Sequence, residues 1–174
     1  MLSGPLQGRF LALISKLMRP KRILEIGTFT GYSALCLAEG LAEEGELHTI
    51  EANPELAWLI RKYVDASPFA RQIQLYTGQA QAVIPTLPGV FDLVFMDAGK
   101  LDYPIYYDLV IDRMSAGALL IADNVLWSGK VIEAEKDMDT RSLDTFNKRV
   151  MADERVETLL LPLRDGLMLA RKRG

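Results

Sequence analysis

The segment Arg22-Ile-Leu-Glu-Ile-Gly-Thr-Phe-Thr-Gly-Tyr-Ser33 constrains the fold more than any other part of the chain. It reads as a buried strand that runs into a glycine-bearing turn and then into a helix. The next apolar run ends in an acid, Glu51, about 20 residues beyond the turn, the spacing of a carboxylate that holds a ribose hydroxyl. The chain therefore looks built to bind a nucleoside. A dinucleotide turn would read G-x-G-x-x-G, its second glycine letting the backbone approach a pyrophosphate. Here Gly27 is followed by Thr28, Phe29 and Thr30 before Gly31, and the bulky Phe29 stands where the pyrophosphate would lie. Glu25 adds negative charge at the strand end, which repels phosphate and suits a cationic ligand. E-x-G-x-x-x-G with a downstream acid fits S-adenosylmethionine (SAM) better than a nicotinamide dinucleotide.

Apolar runs alternate with helical patterns along the rest of the chain. Phe10, Leu11, Leu13, Ile14 and Leu17 recur at helical spacing and predict a first helix over Pro5–Leu17. Pro20 ends it, because the residue before a proline is pushed out of the helical region. Strands are expected at Arg22–Ile26, Glu46–Ile50, Ile73–Tyr76, Phe91–Met96, Ala118–Ala122, Glu157–Leu161 and Leu167–Ala170. Helices are expected between them at Gly31–Ala42, Pro54–Ala66, Ala80–Leu87, Tyr103–Arg113 and Ser142–Ala152. Continuously apolar strands such as Leu93-Val94-Phe95-Met96 suit a sheet covered on both faces. The alternation predicts one doubly wound α/β domain over 1–174, its sheet spanning 22–171. Only Leu163-Arg164-Asp165-Gly166 separates the last two strands, so one of them runs antiparallel to its neighbours. The long irregular stretch Leu126–Thr140 is a candidate active-site loop. Trp58 is assigned to helix packing, His48 to a strand without chemistry and Met96 to the core.

Composition excludes several other classes. No apolar run approaches the ~20 residues of a membrane span. Met1–Phe10 lacks the basic-then-apolar form of a signal peptide. A single cysteine, Cys36, allows no internal disulfide and favours a cytoplasmic setting. With one cysteine and one histidine, a Cys/His zinc site within one chain is excluded. A net charge of −3 argues against a broad nucleic-acid footprint.

Ligands of open α/β sheets bind beyond the carboxyl ends of the strands. Those ends carry Gly27, Glu51 with Ala52, and Gly78-Gln79-Ala80 on the first three strands. The fourth carries Asp97-Ala98-Gly99-Lys100 and the fifth Asp123-Asn124. Asp97, Asp123 and Asn124 all offer oxygen, the donor that a hard cation such as Mg²⁺, Mn²⁺ or Ca²⁺ prefers, and three protein ligands leave room for substrate oxygens and water. Lys100 follows Asp97 on the same turn. A bound cation nearby would favour a neutral amine, which makes Lys100 a candidate general base. Trp127 and Tyr103 lie near these strand ends and are the candidates, with Lys100, for contact with an acceptor. Each acid alone could equally be an ordinary turn residue.

Three stretches, Leu24–Ala34, Phe91–Asp97 and Asp123–Val131, resemble the cation-dependent O-methyltransferases of the caffeoyl-CoA and catechol O-methyltransferase type, particularly the small bacterial members. The resemblance runs from about Gly8 to Arg171. It implies a Rossmann-like methyltransferase sheet of strand order 3-2-1-4-5-7-6 with an antiparallel seventh strand and helices on both faces. It implies that Glu25, Gly27, Ser33, Glu51, Ala80 and Asp97 border SAM, with Glu51 on the ribose and Ala80 near the adenine. Thr28, Ala52, Gly78 and Gln79 at the same strand ends are assigned to the cofactor with them. The resemblance also implies metal ligation by Asp97, Asp123 and Asn124, with Lys100 as base, and a homodimer. Two departures stand out. Members usually carry a longer leading segment that helps cover the acceptor site, so a more open acceptor pocket is expected here. Their usual Asp-Ala-Asp-Lys is Asp97-Ala98-Gly99-Lys100, which predicts a looser turn before the lysine.

The reaction this implies is transfer of the SAM methyl group to one of two vicinal oxygens clamped by the metal, as on a catechol-like aromatic acceptor. Competing readings are methylation of a hydroxylated nucleoside in transfer RNA, a nicotinamide oxidoreductase, and a cofactor-binding protein without transfer activity.

Overall fold

The computed structural model describes residues 4–174; residues 1–3, the start of the expected domain, lie outside the described residues. Seven strands form one sheet: β1 (Arg22–Ile26), β2 (Glu46–Glu51), β3 (Ile73–Thr77), β4 (Phe91–Met96), β5 (Met114–Asp123), β6 (Val156–Leu161) and β7 (Leu167–Lys172). Their spatial order is β3-β2-β1-β4-β5-β7-β6, with β7 antiparallel to both of its neighbours and the other pairs parallel. The order and the antiparallel strand match the sequence expectation. The β1–β4 register sets Ile23 beside Leu93 and Leu24 beside Val94. Successive residues of a strand point to opposite faces. Ile23 and Leu93 accordingly join one core layer, with Leu11 and Ala12 and with Leu37 and Ile60 from the next helices. Leu24 and Val94 join the other, with Tyr107, Val110 and Phe146. Both faces are thus covered, which is why the strands read as continuous apolar runs.

The helices are α1 (Pro5–Met18), α2 (Tyr32–Ala38), α3 (Ala57–Asp65), α4 (Ala80–Val83), α5 (Tyr103–Ile111) and α6 (Met138–Ala152). Short 3₁₀ turns precede α3 and α5 and follow α4. Several boundaries differ from the sequence expectation. α2 stops at Ala38 rather than Ala42 because α1 crosses close to it there: a Cβ on Gly40 would lie 2.1 Å from the Ser15 carbonyl carbon. β5 starts at Met114, four residues early, and a register shift against β4 between Phe91 and Leu93 absorbs the extra length. α6 starts at Met138, because Asp137 caps it by accepting from the Thr140 amide at 2.8 Å. The stretch 126–140 is therefore not all loop; it holds a kinked 3₁₀ segment at Trp127–Ile132 and the first turn of α6.

The first helix forms as expected, and one packing expectation, that for Trp58, fails for a geometric reason. α1 buries Gln7, Gly8, Leu11, Ala12 and Ser15, while Leu13 and Leu17 are 56% and 73% exposed. Its small residues let it approach α2 closely around Leu11, and Leu13 and Leu17 face outward. Trp58 is 67% exposed. Ile60 and Val64 are the buried residues of α3, and a residue two before Ile60 falls on the opposite side of the helix.

Candidate active site

A pocket of about 370 Å³ opens at the carboxyl ends of β1, β2, β3, β4 and β5. β1 ends at Gly27, which has φ +97° and whose added Cβ would lie 2.3 Å from the Asp97 carbonyl oxygen. Only glycine lets the two central strand ends approach this closely. The turn then carries Phe29 at φ +53°, with its ring half exposed at the pocket rim. That conformation delivers the Phe29 amide to Glu51 Oε2 at 2.8 Å, and the Asn53 amide donates to Glu51 Oε1 at 2.9 Å. Each carboxylate oxygen of Glu51 is thus held by a backbone donor and keeps a further lone pair for a ligand in the pocket it lines.

Glu25 does not reach the pocket wall. It is fully buried beneath the turn, where Thr49 Oγ1 donates to its Oε2 at 2.5 Å. Thr49 has spent its proton there, so Thr28 Oγ1 is the donor in the 2.5 Å contact between the two threonines. Glu25 Oε1 is buried with no hydrogen-bond partner among the described residues. Burial pushes the Glu25 carboxyl up to about 7; the Ser33 and Thr49 hydroxyls oppose that shift, and Asp97 and Glu51 add to it. A buried acid beneath the pocket floor is consistent with a cationic adenosyl sulfonium cofactor, and so is the preset Glu51 carboxylate. The donor set on this side therefore fits SAM.

The other half of the pocket is built from side chains. Lys100 is buried, with Nζ 3.1 Å from Asp97 Oδ1 and 2.8 Å from the Tyr103 hydroxyl. Tyr103, expected to touch an acceptor, is instead fully buried and absent from the pocket wall. Its position at the start of α5 turns the ring under the lysine. Its hydroxyl accepts from Lys100 and lies 2.9 Å from the Asp123 carbonyl oxygen, to which it donates. Tyr103 thereby ties the ends of β4 and β5 together. Burial and the Asp97 and Asp123 carboxylates hold its phenol well above the ordinary range. It stays protonated and can only relay or position.

Asp123 is buried at the end of β5, with Oδ1 accepting from the Asn124 amide at 2.7 Å and Oδ2 from Gln7 Nε2 at 2.6 Å. Burial raises its carboxyl, Asp97 raises it further, and Gln7, the Asn124 amide and Lys100 oppose. Asn124 follows at φ +60°, a left-handed conformation that asparagine tolerates. Among the described residues no three His, Cys, Asp or Glu side chains cluster as a metal group. The possible donor set is two carboxylates and one amide. All are oxygen donors, and each acid keeps free lone pairs, so the set fits a hard divalent cation with low ligand charge.

Of the residues predicted from sequence, Gly27, Thr28, Ser33, Glu51, Ala52, Gly78, Ala80, Asp97, Lys100, Asn124 and Trp127 all line this one pocket. Gln79 is exposed outside it, and Glu25, Asp123 and Tyr103 lie behind its wall. Gln7 and Tyr106 were missed. Tyr106 lines the pocket from α5. A glutamine on the same face as Leu11 was the available signal for Gln7. Gly99 lines the pocket at φ −57°, and a Cβ there would meet nothing within 4 Å, so the turn does not require glycine.

The family model described as O-methyltransferase matches residues 1–173. A catechol O-methyltransferase of Niastella koreensis is 35% identical over 177 residues, covering 96% of this chain and 80% of that protein. Caffeoyl-CoA O-methyltransferase 2 of Petunia hybrida is 32% identical over 180 residues, covering 95% and 74%. Among solved structures, the O-methyltransferase TomG of Streptomyces achromogenes, in complex with SAM, superposes with a TM-score of 0.95 at 31% identity, covering 99% and 82%. The Bacillus cereus O-methyltransferase, in complex with S-adenosylhomocysteine (SAH), superposes with a TM-score of 0.94 at 28% identity, covering 99% and 83%.

Proposed function

Because this chain belongs to the O-methyltransferase family and is a SAM-dependent enzyme of the caffeoyl-CoA and catechol type, we propose that it methylates a vicinal diol on a small aromatic acceptor with the help of a divalent cation. The observation that carries this reading is the junction at Lys100. One amine touches the Asp97 carboxylate and, through the Tyr103 hydroxyl, the end of the strand that bears Asp123 and Asn124. Asp97, Asp123 and Asn124 would hold the cation, with Mg²⁺ the first candidate. When bound, it would clamp two adjacent acceptor oxygens and favour their deprotonated form.

The chain's own residues supply the rest. Glu51 would hold the ribose of the cofactor, and the Gly27 turn, with the Glu25 carboxyl buried beneath it, would leave room for its methionine part. Lys100 Nζ takes the proton from the reacting hydroxyl, and Tyr103 accepts from the same nitrogen and holds it at the pocket wall. SAM, when bound, would supply the methyl group to the oxygen of that hydroxyl, its carbon–sulfur bond breaking to leave SAH. Trp127 at the pocket mouth provides a face for a flat ring. Positioning of this kind supplies roughly 7–11 kcal/mol of a barrier. The nicotinamide oxidoreductase reading falls with the family match.

The test is methyl transfer from SAM over a panel of catechols, with Mg²⁺ and with excess chelator. Chelation and Asp123→Ala should each abolish transfer while calorimetry still detects SAH binding. Full-rate transfer in excess chelator would remove the metal from the reaction. The homodimer is part of the same proposal: Leu6, Leu13 and Leu17 leave an apolar stripe exposed on α1. Light scattering that returns only 19.4 kDa would refute it. Among the described residues no helix is long and apolar enough to cross a membrane; a cytoplasmic setting is proposed on the reduced single cysteine, Cys36.

A further inference from the structure

Gln7 is the polar exception on the buried face of α1. It is 1% exposed and shares that face with Leu11, Ala12 and Ser15. An amide removed from water this completely costs free energy unless it is hydrogen-bonded. Its Nε2 donates to Asp123 Oδ2 at 2.6 Å, across 116 residues of sequence. The helix that presents it has little freedom to move. Ser15 Oγ donates to the Leu37 carbonyl at 2.6 Å two turns further on, and the backbone of α1 at Ser15 is in contact with Gly40. Leu11 and Ala12 between these points are fully buried. The amide is therefore aimed at the carboxylate by a rigid element. Asp123 is gripped on both oxygens: the Asn124 amide holds Oδ1 at 2.7 Å, and Gln7 holds Oδ2.

We propose that Gln7 is a positioning residue of the divalent cation site: it locks the Asp123 carboxylate in one rotation from behind, so that the site is completed by the first helix of the chain. The proposal rests on the metal-dependent reading above. Glutamine suits the role because its amide donates at every pH and brings no charge that would compete for the cation. Groups that hold a metal-binding carboxylate from behind typically change metal affinity by about 10–100-fold when removed.

The experiment is Mn²⁺ titration of the full chain by electron paramagnetic resonance, with SAH affinity and thermal unfolding measured on the same samples. Gln7→Met keeps length and burial but removes the donor; Gln7→Asn keeps the amide but withdraws it by one methylene. Both should weaken Mn²⁺ at least about 10-fold with SAH affinity unchanged. Ser15→Ala loosens the same helix without touching Asp123. It should lower the melting temperature and leave Mn²⁺ affinity alone. Wild-type Mn²⁺ affinity in Gln7→Met, or in Gln7→Asn should the methionine variant not fold, overturns the proposal, as does an equal loss in Ser15→Ala. If the unaltered protein binds Mn²⁺ and Asp123→Ala does not, such a result leaves the metal reading standing; if the unaltered protein binds none, both fall.

Discussion

On the β1–β2–β3 side of the pocket the ligand-facing carboxylate is held by backbone alone, whereas on the β4–β5 side Lys100 and Asp123 depend on other side chains as well. Glu51 receives two main-chain amides, from Phe29 and Asn53, both within two residues of a strand end or its turn. On the other side, Lys100 is held by the Asp97 carboxylate and the Tyr103 hydroxyl, and the Asp123 carboxylate by Gln7; the Tyr103 hydroxyl reaches the Asp123 main-chain carbonyl between them, so that α1, the turn after β4, α5 and β5 all contribute. Backbone donors are fixed once the strand order is fixed. A side-chain network is fixed only when every member is present, and losing one leaves its buried partner unsatisfied. The cofactor half should therefore respond to substitution locally and modestly, and the chemical half sharply.

The strongest test of that contrast is Lys100→Ala. If the lysine is the general base, the turnover number should fall on the order of 10²–10⁴-fold. SAH affinity should hold, because the contacts of Glu51 do not involve it. A variant that loses cofactor binding in step with its rate would break the division into two halves.

Glu25→Gln probes the floor beneath the cofactor half through stability. The folded Glu25 carboxyl is pushed up to about 7 by burial, above its ordinary 4.5. Below that ordinary value it is protonated both folded and unfolded, and nothing is lost. As pH rises from there toward 7, the unfolded chain releases its proton first, so the folded state binds more protons and stability falls. Above 7 the loss is complete. Denaturant unfolding at pH 4.5 and pH 8 should show the wild type losing on the order of 3 kcal/mol relative to Glu25→Gln. Parallel pH profiles for the two proteins would mean that the carboxylate is not destabilised by burial.

Glu51→Ala should weaken SAM and SAH binding by roughly 1.5–3 kcal/mol, the worth of a hydrogen bond to a charged group. Turnover at saturating SAM should change little. A collapse of turnover instead would show that the ribose contact also orients the methyl group.

How much of this was legible in the chain follows the same division. The strand order, the antiparallel β7 and the cofactor half were readable because local signals determine them: apolar runs, the Gly27–Gly31 turn and Glu51 at its spacing. Asp97, Lys100, Asp123 and Asn124 were readable as strand-end residues. Their partners were not. Gln7 lies 116 residues from Asp123, and on its helix both buried and exposed leucines share the helical spacing, so the pattern did not single out its face. Tyr103 looked like an acceptor contact because its place at a strand end does not say that α5 turns the ring inward. Trp58 was misread for the opposite reason: aromatic content suggested packing, but Ile60 and Val64 had already fixed the buried face of α3.

The smallest expected effect bears on Gly99, the position where the turn to Lys100 departs from the family's usual acid. Glycine there predicts a loose turn, but the backbone sits at φ −57°, ψ 133°, a conformation any residue adopts, and a Cβ would meet nothing within 4 Å. What anchors the lysine is a pair of hydrogen bonds from its Nζ, to the Asp97 carboxylate before the turn and to the Tyr103 hydroxyl after it, and residue 99 takes part in neither. Gly99→Ala should therefore raise stability by roughly 0.4–1 kcal/mol, because alanine restricts the unfolded chain without straining the folded one. Turnover should stay within a factor of about two, since less than half a kcal/mol separates such rates. Urea unfolding and steady-state kinetics on one preparation decide it. A stable variant with weakened SAH binding would mean that the methyl group enters the cofactor volume of the pocket that Gly99 lines. A stable variant with a large loss of turnover and intact SAH binding would mean that the freedom of this turn is used during the reaction, and the side-chain network would then not be the whole anchor of Lys100.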